Sequence, residues 1–212
     1  MSQTKKEAAK VDPNTGKPFG VLVLGPAITG KTCAVVWFTE NRYMSEYDPH
    51  ICFDPRFCTV GGAAIALMDG PEVLLEHDPL LTDFQEYVPQ AIGVLAFLDV
   101  TRRQTVADMH IIIRGTQEMR TSHGCAALPV FVIGSHLDQP DKREVSVEEG
   151  RAAAEEHGAR YAEVSSYTGE NVHAVFTEAI TSFLACYPGA NDNESEDADA
   201  DSSHRRRGCT HQ

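Results

Sequence analysis

Apolar residues in this chain gather in short unbroken runs rather than in strict alternation. Phe19–Leu24 (FGVLVL) has no polar interruption, the pattern of a strand covered on both faces. Ala63–Met68, Gly93–Val100 (GVLAFLDV) and Pro129–Gly134 (PVFVIG) predict three more strands. Helical spacing fills the intervals: Lys31–Tyr43, then roughly residues 104–120, 147–157 and 171–186. Ser146 ahead of Val147-Glu148-Glu149 supplies an N-terminal cap with acids in the first turn. Strands alternating with helices predict a mostly parallel sheet between helical layers. Ligands of such sheets bind at the carboxyl ends of the strands.

The flanks lack these patterns. Residues 1–17 are polar and carry Asp12-Pro13-Asn14-Thr15-Gly16, which predicts a flexible lead-in. Residues 18–188 form one predicted domain, and residues 189–212 a disordered tail. That tail opens with NDNESEDADADSS, six acids without a large apolar residue, and turns basic at Arg205-Arg206-Arg207. Over 212 residues, 42% hydrophobic and 23% charged residues exclude wholesale disorder. A net charge of −13 argues against nucleic acid as a partner, because neutralising phosphates needs a clustered positive surface. No run approaches the ~18 apolar residues of a membrane span, and the polar MSQTKKEAAK start lacks a signal-peptide pattern. The six cysteines (33, 52, 58, 125, 186 and 209) show no paired spacing. They predict a reduced, cytoplasmic setting, with all but Cys209 as buried small apolar groups. The histidines show no ligand spacing.

The strongest chemical signal follows the first strand. Gly25-Pro26-Ala27-Ile28-Thr29-Gly30-Lys31-Thr32 fits G-x-x-x-x-G-K-[ST], with a strand before it and a helix after it. Backbone N–H groups of such a loop surround phosphate oxygens, and the helix directs its positive end at the same anion. From Gly25 to Cys33 the chain is therefore a candidate phosphate site, with Lys31 on the terminal phosphates and the Thr32 hydroxyl on Mg²⁺. The loop alone leaves the base and the reaction open.

From about residue 18 to 187 the chain resembles the small GTPases of the Ras superfamily, nearest the Ras and Rab branches. The stretches that carry the likeness appear in order: the phosphate loop; Ser45-Glu46-Tyr47-Asp48-Pro49, like the first switch; AIGVLAFLDVTRRQTV from Ala91; REVSVEEGRAAAEEHG from Arg143; and Thr168-Gly169-Glu170-Asn171-Val172. The resemblance implies an α/β fold, the P-loop NTPase G domain: three α/β/α layers around a mostly parallel six-stranded sheet. It also implies GTP or GDP with Mg²⁺ as ligands, and effector or regulatory proteins as partners through the switch regions. By the same resemblance the guanine-reading Asn-Lys-x-Asp is Ser135-His136-Leu137-Asp138 here, and the second base loop is Ser165-Ser166-Tyr167. Asp138 would accept from guanine N1 and N2, and His136 could stack on the base. Ser135 is too short for the Asn bridging role.

The switches depart from the family. His50 stands where a Thr would sense the γ-phosphate and hold Mg²⁺, and imidazole is a poor ligand for that hard ion. Two alignments remain open for the family's Asp-x-x-Gly-Gln. In one, Ala63–Met68 is the third strand, Gly61-Gly62 the hairpin turn before it, and Asp69 the Mg²⁺-shell residue at its end. In the other, Asp69-Gly70 is the hairpin turn and Glu76-His77-Asp78-Pro79 ends the strand. Neither supplies the Gln that orients water, and Gln85 lies too far along. The resemblance therefore implies hydrolysis at or below the slow baseline of such proteins, roughly 10⁻⁴ s⁻¹ unaided. No catalytic residue is assigned.

Cys209-Thr210-His211-Gln212 has the C-a-a-X arrangement of a lipidation site, which with Arg205–Arg207 implies a peripheral membrane contact at the cytosolic face. Two functions stay in play. One is a divergent nucleotide switch in signalling or vesicle transport. The other is a scaffold or transport-complex subunit that ignores its nucleotide. A nucleotide kinase lacks an evident Arg-rich lid.

Overall fold

The computed structural model describes residues 9–44, 55–70 and 86–187. Six strands form one sheet: β1 Phe19–Leu24, β2 Arg56–Val60, β3 Ala63–Asp69, β4 Ala91–Asp99, β5 Val130–Ser135 and β6 Arg160–Glu163. Their spatial order is β2-β3-β1-β4-β5-β6, antiparallel between β2 and β3 and parallel elsewhere. Among the described residues four α-helices flank it: α1 Lys31–Glu40, α2 Gln104–Ser122, α3 Val147–Glu155 and α4 Val172–Cys186.

Why the strands read as unbroken apolar runs is plain from their two faces. Val21 and Val23 of β1 join Val35 of α1 and Phe176, Ile180 and Phe183 of α4 in one core. Leu22 and Leu24, pointing the other way, join Met109, Ile112 and Ile113 of α2 and Ala154 of α3 in a second core. A strand covered twice has no polar face to show. Full burial of one such Phe or Leu contributes roughly 1.5–3 kcal/mol. β2 is different: its residues alternate between part-buried and exposed, as an edge strand's do, so it gives no apolar run to detect.

Boundaries moved where local geometry overrode the pattern. The first helix stops at Glu40 instead of Tyr43, because Asn41 takes a left-handed conformation (φ 53) and its N–H closes on Trp37 O. The third strand runs to Asp69, with Gly61 and Gly62, both at positive φ, turning the β2–β3 hairpin. The alternative in which Asp69-Gly70 turns a hairpin is excluded, since Gly70 N–H donates to Val23 O of the parallel neighbour β1. Ser146 caps α3 in a full capping box with Glu149.

The lead-in expected to be flexible is held from Lys10 onward. Lys10 pairs with the start of β3 through Lys10 N–H to Gly62 O and Ala64 N–H to Lys10 O. Asp12 is buried and accepts from Asn14 N–H, Thr15 Oγ1 and the hydroxyl of Tyr187 beyond α4. The turn residues thus anchor the segment instead of freeing it. The cysteine expectation also needs correcting: Cys33, Cys58 and Cys125 are half-buried and Cys186 is exposed at the end of α4. Burial nonetheless pushes the Cys58 thiol up to about 11. No helix among the described residues is long and apolar enough to cross a membrane.

Candidate nucleotide site

The carboxyl ends of β1, β3, β4 and β5 bring the predicted site residues to one edge of the sheet. Gly25 leaves β1 at φ 151, and a Cβ there would lie 2.7 Å from Phe97 O. Gly30, at φ 75, would place a Cβ 2.9 Å from Ser166 Oγ. Only glycine lets the loop approach β4 and the Ser165–Tyr167 loop this closely. Between these glycines two carbonyls are engaged by side chains. Thr29 Oγ1 and Lys31 Nζ each donate to Pro26 O at 2.9 Å, and Arg102 Nη2 donates to Ala27 O at 2.7 Å. With the Pro26 and Ala27 carbonyls tied to protein, the amides of that stretch are the groups suited to an anion. Lys31 is only 5% exposed, so its side chain lies within the body of the protein against the loop.

Thr32, in the first turn of α1, donates through Oγ1 to Oδ2 of Asp69 at the end of β3. Both oxygens are buried. A hydroxyl and a carboxylate are the hard oxygen ligands that Mg²⁺ prefers, so this pair fits the ion, and Thr32 and Asp69 are the residues that would hold it.

The base side is built from β5 and the loop after β6. Ser165 Oγ donates to Asp138 Oδ1 at 2.6 Å, joining the two predicted base loops. Ser166 Oγ is buried beside Gly30 and has no hydrogen-bond partner among the described residues. Tyr167 is exposed and meets Tyr43 edge-on, with centroids 5.2 Å apart. Ser135 does not reach the phosphate loop; its hydroxyl donates to Leu98 O at 3.0 Å. His136 adopts positive φ (65) and directs Nδ1 to Asp99 Oδ1 at 3.0 Å. Burial alone would raise the Asp99 carboxyl, but His136, Thr101 and Arg102 hold it well below the usual range.

Three of these residues escaped the sequence reading. The helical spacing places Tyr43 inside the first helix, which ends at Glu40. Asp99 and Arg102 were read only as part of a strand and turn, although Asp-x-Thr after an apolar strand is a turn signal: Thr101 N–H donates to Asp99 Oδ1 at 2.8 Å. His50, Ser45–Pro49, Gln85, the Glu76–Pro79 alternative and Cys209 lie outside the described residues.

A strand, a glycine-framed loop and a helix at the centre of a mostly parallel sheet, with a hydroxyl and a carboxylate beside them, define a nucleotide-binding α/β protein. The family follows from the other half of the molecule. The Ras family model matches residues 80–185, half of the chain, and the chain belongs to that family. It is a small GTP-binding protein. The match starts beyond the phosphate loop and spans β4 to α4.

Proposed function

We propose that the chain is a divergent Ras/Rab-like guanine-nucleotide switch that binds GTP and GDP with Mg²⁺ and hydrolyses GTP slowly. The observation that carries this reading is the meeting of the Gly25–Thr32 loop with Asp69 through the Thr32 hydroxyl. In it, Gly25 to Cys33 embrace the phosphates, with Lys31 supplying the positive charge. Thr32 and Asp69 hold Mg²⁺, which when bound screens the phosphate charge. Asp138, oriented by Ser165, accepts from guanine, while Ser135, His136, Ser166 and Tyr167 line the base side. Hydrolysis is slow because no Gln stands at the water-orienting position after Asp69-Gly70-Pro71-Glu72. Effectors and regulators would read the switch regions that follow α1 and β3 in the chain. A lipid on Cys209 would bring the protein to the cytosolic face of a membrane, with a role in signalling or vesicle transport.

The second reading, a scaffold insensitive to nucleotide, is favoured by His50 in place of the γ-phosphate-sensing Thr. Nucleotide released by heat from purified protein separates the two: GDP or GTP at near-stoichiometric amounts supports the switch, and an empty preparation that ignores a fluorescent guanine analogue at micromolar concentration supports the scaffold. Lys31→Ala should weaken loading at least about a hundredfold, since hydrogen bonds to charged groups contribute ~1.5–3 kcal/mol each. Unchanged loading in that variant refutes the phosphate site.

A further inference from the structure

The order β1-β4-β5 sets the carboxyl end of β4 between the phosphate loop and the first base loop. The residue there is Asp99, and its two oxygens face opposite ways. Oδ1 meets His136 Nδ1 at 3.0 Å on the base side, and also accepts from Thr101. Oδ2 accepts from Arg102 Nε at 2.7 Å. The other arm of the same guanidinium, Nη2, donates to Ala27 O at 2.7 Å inside the phosphate loop. Three contacts thus run unbroken from His136 through Asp99 and Arg102 to Ala27, with Thr101 as a side branch on Asp99. Asp99 is 3% exposed, so these bonds act where water screens them little. Ser135 donates its hydroxyl to Leu98 O, and its oxygen stands 3.2 Å from the same His136 Nδ1, so it borders the run at the base end without reaching the phosphate loop.

We propose that His136, Asp99 and Arg102 form a brace that couples the base loop to the phosphate loop and sets how long guanine nucleotide stays bound. Asp99 and Arg102 are positioning residues, and they tie the base-lining His136 to the phosphate loop. Arg102 fixes the Ala27 carbonyl outward from the anion, and His136 is held at its left-handed backbone by the Asp99 carboxylate. The guanidinium is suited to this role because its planar fork serves two partners at once. The proposal rests on the nucleotide-site reading above.

The test is release of a fluorescent GDP analogue from the loaded full-length protein in excess unlabelled GDP. Arg102→Ala and His136→Ala should each accelerate release about tenfold, the worth of one charge-assisted hydrogen bond. The double variant should release little faster than the faster single, because either cut breaks the same chain; two independent contacts would multiply toward a hundredfold. His136→Lys, which keeps a hydrogen-bond donor for Asp99, should restore most of the retention. Wild-type protein that retains no analogue overturns the nucleotide reading and the brace together. Wild-type protein that retains it, with both variants releasing at the wild-type rate or with multiplicative effects, overturns the brace alone. Should His136→Ala not fold, Arg102→Ala decides, since its side chain is 41% exposed and its loss leaves the core intact.

Discussion

In the phosphate loop, side-chain bonds close over three and five residues, from Thr29 and Lys31 onto Pro26 O. At the base side the corresponding bonds span 27 residues, from Ser165 to Asp138, and 37, from Ser135 to Leu98. A contiguous device survives as a contiguous string, so its eight residues still match a pattern. A dispersed one is held by partners on several strands, and substitutions such as Ser135 and His136 can be absorbed by new partners elsewhere. The family match reflects a third layer: over residues 80–185 it follows the scaffold that carries β4 to α4, while the best-kept chemical string lies outside it.

The comparison can be broken most forcefully at Gly25. A Cβ there would stand 2.7 Å from Phe97 O and 2.8 Å from Phe97 Cβ, both belonging to a core strand. Gly25→Ala should therefore cost about 2–4 kcal/mol, combining overpacking with a backbone angle that L side chains resist. It should also abolish retention of a fluorescent GDP analogue, because the loop must leave β4 to relieve the contact. Denaturant titration reads the first effect directly. A variant within about 0.5 kcal/mol of wild type would show that the loop is not pinned by its local geometry.

Ile28 tests the same loop with the opposite sign. It is a β-branched residue at φ 60 and is 78% exposed. Such a residue is strained in the left-handed region and here recovers little from packing. Ile28→Gly should thus raise stability by about 0.5–1 kcal/mol, after the greater freedom of glycine in the unfolded chain is set against the relieved strain. A lowered denaturation midpoint would mean that Ile28 makes contacts which offset its backbone.

These residues also mark what could be read in advance. Four strands and four helices were legible because doubly covered strands are apolar throughout and the helices keep their spacing. β2 and β6 were not, since β2 alternates burial at an edge and β6 is four residues long, none of them fully buried. Lys31, Thr32 and Asp69 could be nominated from chain order. Asp99 and Arg102 could not, because their meaning depends on β4 lying between β1 and β5, which no local pattern records. The strain at Ile28 is likewise invisible until φ is known.

The smallest expected effect lies in the half held by distant pairs, where His110 of α2 and His157 just past α3 are 47 residues apart. Nδ1 of His110 and Nε2 of His157 stand 2.7 Å from each other, so a single proton serves the pair. Arg114 and Glu156 line the same groove. Burial, the His110 ring and Arg114 depress His157 below its ordinary value, with Glu156 opposing. The unfolded chain therefore binds a proton at His157 more readily than the folded one. Stability from this pair is complete above the ordinary histidine range and declines as pH falls through about 6.5 toward the depressed value. Carboxylates such as Glu163, also held low in the fold, lose their contribution further down in pH, which leaves a clear window between about 5.5 and 7. In that window, denaturant unfolding of wild type should show stability rising with pH, and His157→Asn should show a flatter profile. Equal slopes would mean that the facing rings separate freely, and that the contact does not tie α2 to the end of α3.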